Sequence, residues 1–311
     1  MIDDIETTFD DVIIDEETKE TIKHMVSLST FKPEAASESL LKHIHISGAM
    51  FYGPPGTGKT HLSRAIAKAS GSSMLSIDAA TIESKWVGET EKSIKAAFSV
   101  ARKLHPCVLF IDEVDSLFYR RGCGDKSWER SRLAQFLSEM DGLSKSDKAP
   151  FVVVATNRPQ DLDDAFYRRL PHKIFFKLPD LTSRAKILKI YLKKEDLDPQ
   201  VDIETLATAT KGYSGSDLRS FCAMAAMTWA IEQTNKVSAE ERSNKMNLTV
   251  AHFAKALKKI RPSVSPKNLQ DFAEFAKRYN PETIENALAD DAGRSAPWGK
   301  MENMLLRAKN P

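Results

Sequence analysis

Short apolar runs alternate with helix-like stretches through the first 180 residues of the chain. Three uninterrupted runs, Gly48–Tyr52, Cys107–Asp112 and Phe151–Thr156, have the length and continuity of strands that are buried on both faces. Between them, apolar residues recur every three or four positions, as in the stripe Ile94, Ala97, Phe98 and Ala101. Together with further strands expected at 74–78 and 174–178, this alternation predicts an α/β fold with a doubly wound parallel sheet.

From residue 179 onward the pattern is helical, and polar turn residues separate five segments. These segments are Thr182–Lys194, Ile203–Thr210, Gly215–Gln233, Thr249–Ile260 and Pro266–Tyr279. Ser214 stands three residues before Asp217, which predicts a capping box at the start of the third helix. The sequence therefore predicts an α/β domain with its lead-in over residues 1–180, a small all-helical lid domain over 181–280, and a helical tail over 281–311.

The segment after the first strand, Gly53–Thr60, matches the Walker A pattern G-x-x-x-x-G-K-[ST] at every fixed position. Its glycines allow backbone N–H groups to surround phosphate oxygens, Lys59 adds a positive charge, and Thr60 is placed to bind Mg²⁺. A strand before and a helix after favour this interpretation over a glycine- and proline-rich loop that matches by chance. The predicted nucleotide contacts here are Gly53, Pro54, Pro55, Gly56, Thr57, Gly58, Lys59, Thr60 and His61.

Polar residues follow two of the predicted buried strands, where active groups of parallel sheets collect. Asp112 and Glu113 end the run from Cys107, and Asn157 follows the run from Phe151. Asp112 is a candidate ligand of Mg²⁺ and Glu113 a candidate general base that polarises a water molecule. Asn157 is a candidate to orient that water. The alternatives are acids that cap the next helix, and an asparagine that closes a turn.

Three further positions allow two interpretations each. Trp86, between Lys85 and Val87, fits either a core tryptophan or an aromatic side chain exposed in a loop. Arg168 and Arg169 fit a solvated surface, or a pair of cations that reaches a phosphate on a neighbouring subunit. The helix start at Ser214 is also a natural place for phosphate or ribose.

Composition narrows the class of protein. In 311 residues, 45 Lys plus Arg balance 43 Asp plus Glu, so the chain lacks the basic footprint of nucleic-acid binding. Three cysteines without a C-x-x-C pair predict neither a disulfide framework nor a zinc site, and they favour a reducing compartment. The apolar stretch Phe221–Ile231 is too short to span a bilayer, and no signal peptide precedes the acidic start, so we expect a soluble chain.

With these motifs in this order, the chain resembles the AAA family of ATPases over residues 9–280. The resemblance is to the group that contains spastin, katanin, fidgetin, the endosomal-sorting filament disassembly ATPase and the mitochondrial outer-membrane protein extractors. The segments Leu104–Cys107 and Arg168–Pro171 are more similar to the extractors than to the severing enzymes. One departure is Ile13 and Ile14, which stand where the family usually has a glycine pair.

The resemblance assigns roles to matching positions and implies ATP and Mg²⁺ as cofactors. The residues so assigned are Asp11, Val12 and Ile13 at adenine, Gly53–Thr60 as Walker A, Asp112 and Glu113 as Walker B, Asn157 as sensor, Arg168 and Arg169 as arginine fingers, Gly215 and Ser216 at the nucleotide, and Lys85, Trp86 and Val87 as a pore loop that grips substrate. Because the fingers act on a neighbour, the resemblance implies a homo-oligomeric ring, usually a hexamer.

The function that the resemblance implies is an ATP-hydrolysing ring motor that remodels, extracts or unfolds proteins by pulling a polypeptide through its pore. Alternatives are microtubule severing or filament disassembly within the family, and a nucleotide-controlled scaffold or switch outside it. We expect a polypeptide substrate and no nucleic acid, with membrane association only through a missing N-terminal segment or a partner. The expected location is cytoplasmic, at the cytosolic face of an organelle membrane such as the mitochondrial outer membrane.

Overall fold

The computed structural model describes residues 8–9, 12–14, 18–22, 24–25, 48–82, 88–118, 127–143, 148–235 and 246–279. The strands are β1 (Gly48–Tyr52), β2 (Ser73–Asp78), β3 (Cys107–Asp112), β4 (Phe151–Thr156), β5 (His172–Phe175), β6 (Asp196–Leu197) and β7 (Asn247–Leu248). The helices are α1 (Lys59–Ala69), α2 (Ala79–Ile82), α3 (Glu89–Lys103), α4 (Ser127–Asp141), α5 (Asp164–Arg169), α6 (Leu181–Leu192), α7 (Ile203–Ala209), α8 (Gly215–Thr234), α9 (Val250–Lys259) and α10 (Pro266–Tyr279).

The chain divides into two compact units. The first contains the described residues within 1–53, 58–176 and 274–279, and the second contains residues 54–57 and the described residues within 177–273. The predicted division at 180 and 280 stays a prediction, and the predicted tail, 281–311, lies outside the described residues.

A five-stranded parallel sheet forms the centre of the first unit, in the order β2-β3-β4-β1-β5. Every residue of β1 and β4 is buried, whereas the edge strands β2 and β5 are partly exposed. Helices on both faces of a parallel sheet explain why its inner strands are continuous apolar runs. The predicted parallel α/β sheet is confirmed, and the carboxyl ends of β1, β3 and β4 lie side by side.

Strand β5 differs from its prediction. We expected it over 174–178, but it covers His172–Phe175. Its register on β1 explains the shift, because Ala49 pairs with His172 and Tyr52 pairs with Phe175, where β1 ends. The N–H of Phe176 makes one more bond, to the carbonyl of Tyr52, the last residue of β1, at 2.8 Å.

Four phenylalanines pack helices α3, α4 and α5 together. Phe136 of α4 stacks on Phe166 of α5 at 4.7 Å between ring centroids and meets Phe98 of α3 edge-on at 5.7 Å. Phe118 contacts both Phe136 and Phe166 at 5.1 Å. Aromatic pairs at such distances add to the stabilisation from burial. The short helix α5 is thereby fixed in place by its own buried Phe166.

The second unit has its own core, in which Leu188 of α6, Phe221 of α8 and Phe253 of α9 are fully buried. The predicted capping box is present, since the Ser214 hydroxyl accepts from the N–H of Asp217 and the Asp217 carboxylate accepts from the N–H of Ser214. The helical lid is confirmed, with one addition that the pattern did not predict. Strands β6 and β7 form a parallel pair of two residues each.

The described residues include two of the three cysteines. Both of these, Cys107 and Cys222, are free and buried. No described helix combines the length and the apolar character needed to cross a bilayer.

Candidate functional site

The Walker A segment forms the loop between β1 and α1, as the pattern predicts. Gly53 and Gly56 have φ angles of +143° and +73°, which side-chain-bearing residues rarely adopt. A Cβ atom at Gly53 would also lie 2.3 Å from the Phe176 carbonyl oxygen. Only glycine fits here, and the loop folds back tightly enough to surround an anion with its backbone.

Residues 54–57 of this loop cluster with the second unit, where the predicted Gly215 and Ser216 lie. The N–H of Ser216 donates to the Gly56 carbonyl at 3.2 Å. A Cβ at Gly56 would come within 2.0 Å of the Ser216 Oγ atom, and one at Gly215 within 3.0 Å of the Gly56 carbonyl oxygen. Within the second unit, the start of α8 therefore contacts Gly56.

Lys59 is the buried cation of the site, with 6% of its surface exposed. Its Nζ atom donates to the Gly53 carbonyl at 3.0 Å. Burial lowers the pKa of Lys59 to about 8, an effect that the negative charges of Asp112 and Asp115 partly oppose. An anionic ligand would strongly stabilise the charged form of an ammonium group that is held away from water in this way.

Thr60 and Asp112 meet beside Lys59. The Thr60 hydroxyl donates to Asp112 Oδ2 at 2.8 Å, and Asp112 Oδ1 accepts from the N–H of Glu113 at 3.0 Å. No group of three or more His, Cys, Asp or Glu side chains in the described part of the chain has the arrangement of a metal site. A hydroxyl with one carboxylate fits Mg²⁺ instead, which takes few protein ligands and completes its shell with water and phosphate oxygens.

Glu113 has an unusual backbone. Its φ of 50° lies in the left-handed region, which is uncommon for residues other than glycine and recurs at active sites. Partial burial of the carboxyl group raises the pKa of Glu113, and the carboxylates of Asp112, Asp78 and Asp115 raise it further. A higher pKa makes the glutamate a stronger base.

Asn157 follows β4 beside this group of acids. Its Oδ1 atom is buried, and no atom of the described residues donates a hydrogen bond to it. Its backbone N–H points to Asp115 Oδ1 at 3.4 Å, and the Thr156 hydroxyl donates to the same oxygen at 2.6 Å. Our sequence reasoning did not single out Asp115. Its position three residues after Asp112, on the next turn of the chain, was the available signal.

The two arginines of α5 differ in their surroundings. Arg169 makes a bidentate pair with Asp141 of α4, with both N–O distances at 3.1 Å. The Arg168 side chain is exposed and makes no hydrogen bond or ion pair with any residue that the structure describes. The sequence pattern gives no reason to distinguish the two arginines. The structure distinguishes them, because the Arg169 side chain is paired with Asp141 and the Arg168 side chain is not paired with any described residue.

Some of the remaining predicted positions are described, and the others lie outside the described residues. Val12 is buried in the core of the first unit, Ile13 is half-buried, and His61 is exposed on α1. Asp11 and the predicted pore loop, Lys85, Trp86 and Val87, lie outside the described residues.

Three segments match known families. Residues 49–178 match the ATPase family associated with various cellular activities (AAA), 200–242 match the AAA+ lid domain, and 225–279 match the Vps4 C terminal oligomerisation domain. The solved AAA domain of FIGL-1 in complex with ADP superimposes with a TM-score of 0.75 at 33% identity, over 88% of this chain and 91% of that one. The chain belongs to the AAA family of ATPases.

Curated relatives support the predicted group within the AAA family. Spastin from Danio rerio is 38% identical over 282 residues, which is 88% of this chain and 48% of that protein. The cell division cycle protein 48 homolog from Archaeoglobus fulgidus is 40% identical over 241 residues, 75% of this chain and 33% of that protein. This AAA ATPase chain therefore spans a third to a half of the length of these relatives. The closer similarity to the extractors stays a prediction.

We predict that Lys59→Met abolishes nucleotide binding by this AAA domain without destabilising the ligand-free fold. The lowered pKa means that the charged lysine costs folding free energy below pH 8, so removing the charge at pH 7 relieves a penalty. Saturating nucleotide should raise the unfolding free energy of the unchanged protein by about 2 to 3 kcal/mol and that of the variant by nothing measurable.

The measurement is thermal unfolding with and without ADP and Mg²⁺. Lys95→Met, which removes an exposed lysine of α3, is the matched control and should retain the full nucleotide effect. Equal stabilisation of the Lys59 variant by nucleotide would contradict the role assigned to the buried ammonium group.

Proposed function

We propose that this chain hydrolyses ATP to ADP and phosphate with Mg²⁺ at the carboxyl edge of its parallel sheet. The proposal is supported by three features that meet at this edge. They are the buried cation of Lys59, the hydroxyl–carboxylate pair of Thr60 and Asp112, and the Glu113 carboxyl group, whose pKa is raised. The ADP bound to the AAA domain of FIGL-1 supports a nucleotide as the ligand.

Each residue has one task in the proposed reaction. Lys59 and the backbone of the Walker A loop bind the phosphates, and Thr60 and Asp112 are the residues that would hold Mg²⁺. When bound, Mg²⁺ neutralises charge on the phosphate oxygens. Glu113 accepts the proton of the attacking water, and Asn157 orients that water through its amide oxygen, to which no described residue donates a hydrogen bond.

The proposal includes a homo-oligomeric ring, usually hexameric in this family, with active sites shared between subunits. Residues 225–279 match an oligomerisation domain, which supports self-assembly. Arg168 is the candidate finger, because Arg169 is already paired with Asp141. Fingers of this type accelerate phosphoryl transfer by about 10³- to 10⁵-fold. Arg169 instead ties α5 to α4 and so holds Arg168 in place.

We further propose that hydrolysis pulls a polypeptide through the ring, gripped by Lys85, Trp86 and Val87, so that protein substrates are remodelled, extracted or unfolded. Similarity to spastin and to FIGL-1 supports a remodelling or severing motor. A cytoplasmic location at the cytosolic face of an organelle membrane belongs to the same proposal. A nucleotide-controlled scaffold is the alternative from another class, and an intact set of hydrolytic residues argues against it.

Mixing two inactive variants tests the shared site. Glu113→Gln lacks the base but keeps its arginine, whereas Arg168→Ala lacks the arginine but keeps its base. We predict that each alone loses about 10²-fold or more in ATP turnover and that a one-to-one mixture regains a part of it. Arg169→Ala should lose less than Arg168→Ala, since it acts only by holding α5.

Turnover per subunit is measured against protein concentration, with molecular mass by light scattering. Activity should rise with assembly. A turnover that is independent of concentration, or a mixture of assembled variants without any recovery, would refute the shared site. No turnover by the unchanged protein in assembled form would favour the scaffold.

Substitution of the predicted pore-loop aromatic tests polypeptide handling. We predict that Trp86→Ala keeps ATP turnover but weakens binding of a fluorescently labelled, permanently unfolded polypeptide by about tenfold or more, as expected for an aromatic hot spot. Trp86→Tyr keeps a large ring and should retain most of the binding. Unfolding of the Trp86→Ala protein would instead support the interpretation of Trp86 as a core residue.

A further inference from the structure

The carboxylate of Asp115 has no part in the roles assigned above, although it lies at the same edge of the sheet. Asp115 belongs to the 3-10 turn Val114–Ser116, which follows β3, and it faces the end of β4. Its Oδ1 atom accepts a short hydrogen bond of 2.6 Å from the Thr156 hydroxyl and a long one of 3.4 Å from the N–H of Asn157. The turn after one strand is thereby joined to the end of the next.

The Thr156 hydroxyl also bonds Arg158, the residue that follows Asn157. While it donates to Asp115, it accepts from the N–H of Arg158 at 2.9 Å. Thr156 is 1% exposed, and hydrogen bonds to a carboxylate are stronger in such a water-poor environment. The backbone on both sides of Asn157 is therefore fixed through one hydroxyl and one carboxylate.

The side chain of Asn157 is not fixed by bonds to its amide oxygen. That oxygen is buried and, within the described ranges, accepts no hydrogen bond. Buried polar atoms without a partner are costly and rare, so each needs an explanation, and at the hydrolytic site proposed above a water molecule is the natural partner for this oxygen. Because no described residue bonds this oxygen, the backbone that Asp115 and Thr156 hold contributes directly to its orientation.

The simpler interpretation is that Asp115 only attaches its turn to the sheet. Ser116 of the same turn also has a buried oxygen atom without a partner among the described residues, so the turn contains a polar group that takes no part in the network. Asp115 differs from it because its carboxylate bonds the Thr156 hydroxyl and the N–H of Asn157. Asp115 therefore joins its turn to the stretch of backbone that carries Asn157.

We infer that Asp115 is a positioning residue, which aims the Asn157 amide at the attacking water by holding the end of β4 through Thr156. The inference rests on the ATP hydrolysis proposed above. Since Asn157 acts on the water, loss of Asp115 slows turnover and leaves nucleotide binding nearly unchanged.

The first test is kinetic. Asp115→Ala should lower kcat by about 10- to 100-fold, as expected when a catalytic group is misplaced by about 1 Å, while KM for ATP changes little. The double variant of Asp115→Ala with Asn157→Ala should be no slower than Asn157→Ala alone, because both changes remove one function. Thr156→Val should behave like Asp115→Ala, and Thr156→Ser, which keeps the hydroxyl, should restore turnover. Ser116→Ala is the control and should leave kcat unchanged.

The second test does not need turnover. Amide hydrogen exchange of residues 157 and 158 in the nucleotide-free protein should be faster in Asp115→Ala and in Thr156→Val than in the unchanged protein. Thr156→Ser and Ser116→Ala should exchange at the original rate.

Unchanged exchange and unchanged kcat in Asp115→Ala would overturn the inference. A double variant that is much slower than Asn157→Ala would also overturn it. So would an increase in KM that accounts for the whole loss of kcat/KM. Either result would mean that Asp115 acts on something other than Asn157. If the unchanged protein shows no turnover, the proposed function fails and the catalytic part of this inference fails with it. The exchange rates would then still decide whether Asp115 fixes the backbone around Asn157.

Discussion

The burial of the Lys59 ammonium group is the constraint around which the site is built. A cation held away from water is costly unless negative charge or a dipole faces it. Here the Gly53 carbonyl lies 3.0 Å away and two carboxylates, Asp112 and Asp115, oppose the lowering of its pKa. These partners compensate it only in part, because its pKa still falls to about 8. These partners leave part of the desolvation cost of the ammonium group uncompensated, and a bound phosphate would recover that free energy.

The parallel sheet delivers the groups that complete this arrangement. Strands β1, β3 and β4 are neighbours, so their carboxyl ends bring the Walker A loop, the acid pair and Asn157 to one edge. The fold also leaves reactive groups incompletely satisfied there, including a glutamate in the left-handed region and an amide oxygen without a partner among the described residues. Strain and unpaired groups at one place are typical of a catalytic site.

Much of this could be predicted because buried strands and the phosphate-binding loop leave strong local patterns. The bounds of β1, β3 and β4 follow directly from continuous apolar runs. The edge strand β5 was predicted to begin two residues and to end three residues too late, since its limits are set by pairing with β1 rather than by its own composition. The two-residue pair β6–β7 has too little sequence to carry any pattern.

Within the site, the features that could not be predicted are contacts between residues that are far apart in the sequence. Nothing in two adjacent arginines shows that Arg169 is held by Asp141, a residue 28 positions earlier, and that Arg168 is not. Likewise, the function of Asp115 depends on Thr156, 41 positions later, which the register between β3 and β4 brings within 2.6 Å. Motifs identify residue types at fixed spacing, whereas such pairings depend on how separate elements pack.

The most direct test of the central claim is the number of protons taken up when nucleotide binds. Calorimetric titration of ADP and Mg²⁺ at pH 8, in two buffers with different ionisation enthalpies, measures this number. With a ligand-free pKa of about 8, Lys59 is half protonated, so binding that restores its charge should take up about half a proton, rising toward one at pH 9. Tight binding without proton uptake at either pH would contradict the account, because the buried ammonium group would then not be the cation that meets the phosphates.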